Sequence, residues 1–258
     1  MAVQALATKV ALTPVLIGGA SLAGRRYGHH VGGWVVGLPL TSGPVAFFLA
    51  AHHGRSFAAG AAVGMLAGTI SQVAFALLYR RAAWRGAAPA ALAGCAGFAT
   101  ATLVLTFLDW GALATFALVV AVLAAGCVLA RRTAGPGVQV SPPPRWDVPA
   151  RMVLATVIVV LITELAPLLG PYLAGLLSPF PVFGAVLAIL TQRADGAAGA
   201  ARVLDGLLLG LLAPAIFFVV VALGLPGLGL AAFPIATAGA LAAQALSMLF
   251  LPRSCMDA

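Results

Sequence analysis

Charge is what this chain has least of. Six acidic and fourteen basic side chains are all that 258 residues carry, so 8% of the sequence is charged while 62% is hydrophobic. A water-soluble domain needs roughly three times that share of charge to solvate its surface, which excludes that class and leaves a membrane protein. With so few carboxylates there is no paired-acid constellation. A Gly-rich phosphate loop, an HExxH helix and a GxSxG elbow are missing as well. The segment GASLA at 19–23 holds a serine between small residues, with no histidine or acid at a spacing that would activate it. The sequence therefore reads as a non-enzyme without cofactors. Cysteine is scarce too: Cys95 and Cys127 lie in apolar stretches and Cys255 in the tail, so no disulfide framework is expected. The +8 net charge is spread over short polar segments instead of forming a patch, which excludes nucleic acid as a partner and leaves the lipid bilayer.

What the chain does have is long apolar runs. At about 20 residues per membrane span, they predict an all-α polytopic membrane protein of nine helices in a single membrane domain, 1–258. The expected spans are 5–24, 31–51, 57–79, 87–107, 111–130, 150–169, 171–190, 203–222 and 228–251. In this arrangement Arg25, Arg26, Arg80, Arg81, Arg85, Arg131, Arg132, Arg145, Arg151, Arg193, Arg202 and Arg253 share one side, with only Lys9 and Arg55 opposite. The positive-inside rule then places the amino terminus outside and the carboxyl terminus in the cytoplasm.

Two of the spans cannot be continuous helices. Gly32–Pro44, GGWVVGLPLTSGP, carries Pro39 and Pro44 around its middle, and Ala174–Gly184, AGLLSPFPVFG, carries Pro179 and Pro181. Each proline removes a backbone donor and clashes with the preceding turn, so both segments are expected to unwind at mid-membrane. The two breaks stand 142 residues apart, and the same shift superposes Gly28 on Gly170, Gly33 on Gly175, Gly54 on Gly196, Gly64 on Gly206 and Gly68 on Gly210. We read this as an internal repeat. Repeat unit 1 is 5–107 and repeat unit 2 is 150–252, with a linker helix and Pro-rich cytoplasmic loop between them at 108–149. An odd linker helix gives the four-helix units opposite topology, the inverted-repeat plan of secondary transporters.

The second unit resembles the GlpM family of small four-helix bacterial inner-membrane proteins. The resemblance rests on Ala174, Gly175, Leu176, Pro179, Phe180, Pro181 and Phe183, and extends over about residues 155–250. It implies a duplicated and fused version of that architecture in a bacterial inner membrane, and no catalytic residues. The first unit departs from the pattern, with LTSGP in place of the FP-x-F core.

Broken helices in matching positions point to a midplane site. Its expected lining is Thr41, Ser42, Ser178 and the backbone freed at Pro39, Pro44, Pro179 and Pro181. Since no acid or base lies at that depth, the expected substrate is small and weakly polar, or amphipathic and lipid-like. Glu164, an acid inside an apolar span, is the candidate for proton coupling or gating, with Lys9 as a pairing partner at similar depth. Gln72 and Gln244 are read as polar helix contacts, and Gly60, Gly64 and Gly68 as a close-packing stripe within the protomer or across a homodimer. Asp205 is expected to pair with Arg202. The pairs His29–His30 and His52–His53 flank one span about 34 Å apart, so no metal site is expected. The alternative to transport is a structural or assembly subunit of an envelope-biogenesis complex.

Overall fold

A computed structural model describes residues 38–39, 42–108, 110–132 and 168–247, with isolated helical positions between 149 and 165. Among the described residues there is no strand. The helices are α1 (Ser42–His53), α2 (Arg55–Ala82), α3 (Ala87–Leu105), α4 (Ala112–Arg132), α5 (Pro171–Leu177), α6 (Val182–Gly210), α7 (Leu212–Leu228) and α8 (Ala232–Ser247). Four helical stretches are long and apolar enough to cross a membrane: Arg55–Arg85, Ala87–Leu105, Ala112–Ala130 and Asp195–Ser247. The last runs to 53 residues, roughly 80 Å if it were straight. It is not straight, because α8 folds back along α7 after Gly229: a β-carbon on Gly239 would lie 3.3 Å from Ile216, and one on Gly224 3.0 Å from Ala232.

Helix α2 is the axis of the bundle, with α1, α3, α4, α5, α6 and α7 all packed on it. Helix α3 returns antiparallel along it. Gly94 admits the Phe75 ring, a β-carbon on Gly97 would lie 3.0 Å from the Ala74 carbonyl oxygen, and the Thr102 hydroxyl donates to Ser71 Oγ at 2.9 Å. Helix α5 runs parallel to α2 on the glycine face. Pro171 lies over Gly60, a β-carbon at Gly64 would collide with the Tyr172 carbonyl oxygen, and one at Gly68 would come 2.9 Å from both the Leu176 carbonyl oxygen and Pro179 Cγ. Reciprocally, a β-carbon on Gly175 would run into the Ala61 carbonyl. Glycine is required on both sides of this seam because backbone meets backbone there. The α6–α7 run passes α2 in the opposite sense. Asp205 meets Arg80 near the carboxyl end of α2, and Gly229 lies against the Arg55 guanidinium at its amino end.

Turns between helices are tighter than the sequence suggests. The expected loops at 52–56 and 191–202 shrink to single residues, Gly54 (φ 87, ψ 168) and Gly196 (φ 71, ψ −170), whose positive φ lets one residue make a corner that L side chains rarely permit. The expected span 171–190 therefore becomes α5, a break, and the first arm of α6, which stays helical up to Gly196.

The glycine seam makes a clear stability prediction. Gly64→Ala forces a methyl onto a carbonyl oxygen and should lower stability by about 1–3 kcal/mol or more, seen as a fall of several degrees in the thermal midpoint of the detergent-solubilised protein. Gly227→Ala, in open space on α7, should leave the midpoint unchanged or slightly higher. Equal midpoints for the two variants would remove the seam's role.

Candidate functional site

The second break is built from α5, the turn after it and the start of α6. Helix α5 ends at Leu177, Ser178 N–H closes its last turn on the Ala174 and Gly175 carbonyls, and Phe180 N–H bonds to the Leu177 carbonyl at 3.2 Å. Helix α6 starts after Pro181, whose carbonyl accepts the Ala185 N–H at 2.8 Å. The first N–H groups of α6 have no acceptor within the helix and carry partial positive charge toward the break. Gln72 reaches in from α2 and donates its amide to the Pro179 carbonyl at 2.7 Å, capping an acceptor that the break has freed. Ser178 is fully buried, and its hydroxyl has no hydrogen-bond partner among the described residues. The Phe180 ring closes the flank, edge-on to Phe98 at 5.0 Å. Gln72, Ser178, Pro179 and Pro181, singled out on different sequence grounds, thus come together at one place.

At the first break, where residues 40 and 41 lie outside the described residues, α1 opens as α6 does. Leu38 lies in a bend, the Pro39 carbonyl accepts the Gly43 N–H at 2.8 Å, and α1 begins at Ser42, which is buried. Pro44 departs from expectation. It occupies the first turn of α1, where a missing N–H costs no hydrogen bond, so it starts the helix and frees no backbone. The two breaks lie at one depth. The second faces Gly68 and Gln72, halfway along α2. The first touches Phe217 through Gly43, and Phe217 lies about twelve residues, ~18 Å, back along α7 from the Arg55 end, again near the level of Gly68.

The remaining candidates are dispersed. Thr41 and Lys9 lie outside the described residues. Glu164 is helical and exposed, on the same exposed side as Leu161, Leu165 and Leu168. Gln244 is buried in α8, where its carbonyl accepts the Ser247 hydroxyl at 2.8 Å. His52 is exposed and stacks on Phe48, and His53 packs on Phe57. Among the described residues no group of metal-binding side chains converges.

A second polar centre, at the carboxyl end of α2, is one the sequence reading missed. The buried Arg80 guanidinium pairs with the Asp205 carboxylate and donates to the Ala130 carbonyl at 2.7 Å and the Ala201 carbonyl at 3.4 Å, joining α2, α4 and α6. Asp205 therefore pairs with Arg80 and not with Arg202, because the antiparallel course of α6 brings it across to α2. Close by, Gln192 donates to the Ala83 carbonyl at 2.6 Å. Its Oε1 and the hydroxyl of Tyr79, one turn before Ala83, are buried without hydrogen-bond partners among the described residues. In the sequence Arg80 is one of a dozen interfacial arginines and Gln192 falls in an expected loop, so neither signals its burial.

These observations define a membrane protein whose described residues are helical, with a helix break between α5 and α6 that faces the middle of α2. No family model, curated protein or solved structure matches the chain.

The Arg80–Asp205 pair generates a prediction of its own. Arg80→Met leaves a carboxylate partly buried without its cation, and should cost about 3–5 kcal/mol. Arg80→Met with Asp205→Leu should recover most of that loss, because a matched apolar pair carries no uncompensated charge. Thermal midpoints of the single and double variants check this; a double variant no better than the single would show the pair to be incidental.

Proposed function

We propose that this protein is a secondary transporter or permease whose substrate passes between the two breaks. The observation that carries the reading is their common depth: two helices, α1 and α6, each opening with a proline carbonyl that accepts the N–H four residues on, level with the middle of α2. Non-helical backbone at mid-membrane is tolerated where protein or a water-filled cavity covers it. At the second break Gln72 covers one freed carbonyl while Ser178 keeps a free hydroxyl. Such a site offers helix-end dipoles and neutral hydrogen-bonding groups without a full charge. It suits a small weakly polar molecule or the polar end of an amphipathic, lipid-like one.

Paired features 142 residues apart support an inverted repeat behind this site. Pro39 and Pro181 open α1 and α6 with the same 2.8 Å bond, Gly54 and Gly196 make the same corner, and the Gly97–Ala74 contact of the α2–α3 hairpin recurs as Gly239–Ile216 in α7–α8. Helix α2 and the run 197–228, which the 142-residue shift superposes, lie antiparallel, as units of opposite topology require. The arginine-rich end, with Arg80, Arg81, Arg85, Arg193 and Arg202, would face the cytoplasm of a bacterial inner membrane. The motif that resembles GlpM proteins, 174–183, is itself the second break. Because Gly60, Gly64 and Gly68 pack inside the chain, they offer no small-residue face for docking, which weighs against the assembly-subunit reading.

The test uses purified protein in liposomes. Two readouts are run: dithionite quenching of a fluorescent phosphatidylcholine, and an internal pH dye during addition of a panel of neutral amphipathic solutes. We expect one of them to exceed protein-free liposomes, with Gln72→Leu slowing it about tenfold, the equivalent of one hydrogen bond. Glu164→Gln should remove any accompanying proton movement. Silence in both readouts from folded protein would overturn the transport reading in favour of an assembly role.

A further inference from the structure

We propose that residues 42–53 and 182–195 are two gate helices opening toward opposite ends of the bundle, and that Gln192 is the latch of the second. The inference rests on the mid-depth site proposed above. Each segment is a helical arm between two weak points: a proline at its mid-depth start, Pro39 or Pro181, and a one-residue glycine corner, Gly54 or Gly196, at the far end. Such points absorb backbone rotation while the arm between them moves as a unit. The arms diverge. The first runs from the break to His53, toward the end where Arg55 meets Gly229; the second runs to Asp195, toward the end where Gln192 meets Ala83. One arm thus covers the route from the breaks to one surface, and the other arm the route to the opposite surface.

How the second arm is held explains why it would move. Its far end is fixed to the turn that follows α2 by the hydrogen bond from Gln192 Nε2 to the Ala83 carbonyl. Beside it, Gln192 Oε1 and the Tyr79 hydroxyl stay buried with no hydrogen-bond partner among the described residues. An unpartnered buried polar group costs free energy that contact with water recovers. Swinging the arm outward from α2 exposes both groups to bulk water, and their hydration offsets the one hydrogen bond given up. A latch poised in this way favours neither position strongly, as alternating access requires. Arg193, adjacent in sequence and exposed, keeps the arm's tip at the polar surface.

The test reads accessibility and needs no substrate. In protein whose three native cysteines are replaced by alanine, Ser178→Cys reports exposure of the second break to a membrane-impermeant thiosulfonate added from the Trp84 and Arg193 side. Gln192→Ala should speed its modification at least tenfold, with the rate at an exposed reference, Trp84→Cys, unchanged. As a check independent of the stability of that variant, Ala83→Cys with Gln192→Cys, oxidised to a crosslink, should block modification at 178, and reduction should restore it. Equal rates at 178 with the latch intact, removed and crosslinked would overturn the proposal. Transport in liposomes with an unresponsive residue 178 would sink the gate and leave the site standing. A responsive residue 178 without transport would leave the gate standing and count against the site reading.

Discussion

The seam between Gly60, Gly64 and Gly68 on α2 and the backbone of 171–179 is the contact on which the rest of the arrangement depends. Without side chains at these positions two helices approach until carbonyl oxygens occupy the space of β-carbons. That close approach fixes the height of the segment along α2 to within a turn, since shifting it by one residue would drive a side chain into backbone. Fixing the height puts Pro179 beside Gln72, so that one amide covers one freed carbonyl. In an apolar medium, where burial of hydrocarbon does not drive helices together, dense packing and interhelical hydrogen bonds are the available forces, and this seam combines both.

From that seam the layout of the bundle follows. Helix α2 touches nearly every described element because it is the one whose small-residue face and whose ends are both engaged: Gly64 and Gly68 at its middle, Arg55 against Gly229 at one end, Arg80 against Asp205 at the other. Those end contacts pin the α6–α7 run antiparallel to α2. The antiparallel pairing is the physical content of the inverted-repeat proposal, and it sets the two breaks at one depth with their helical arms diverging.

Composition alone announces the membrane class, because a chain with 8% charge has no other way to hide 62% apolar residues. The prolines at 179 and 181 announce the second break, since no continuous helix tolerates both. The four-residue glycine spacing marks a face of close approach on α2. What the sequence hides is which element fills that face, since any backbone with a small residue fits it, and Gly175 is one glycine among thirty. Pairing of Arg80 with Asp205 spans 125 positions and depends on the sense of α6, which no local pattern encodes. The corners at Gly54 and Gly196 read as ordinary loops because a positive φ leaves no trace beyond the glycine itself. Pro44 illustrates the reverse error: the same residue that breaks a helix interior starts one when it falls in the first turn.

The central claim is that α2 and the 197–228 run cross the membrane in opposite senses, so that Ser56 and Leu228 share one surface while Trp84 and Arg193 share the other. Single cysteines at these four exposed positions, probed with a membrane-impermeant maleimide in sealed right-side-out vesicles, measure it directly. The account predicts that positions 56 and 228 label from outside and that 84 and 193 label only after the membrane is opened. Labelling of 56 and 193 from the same side would contradict it.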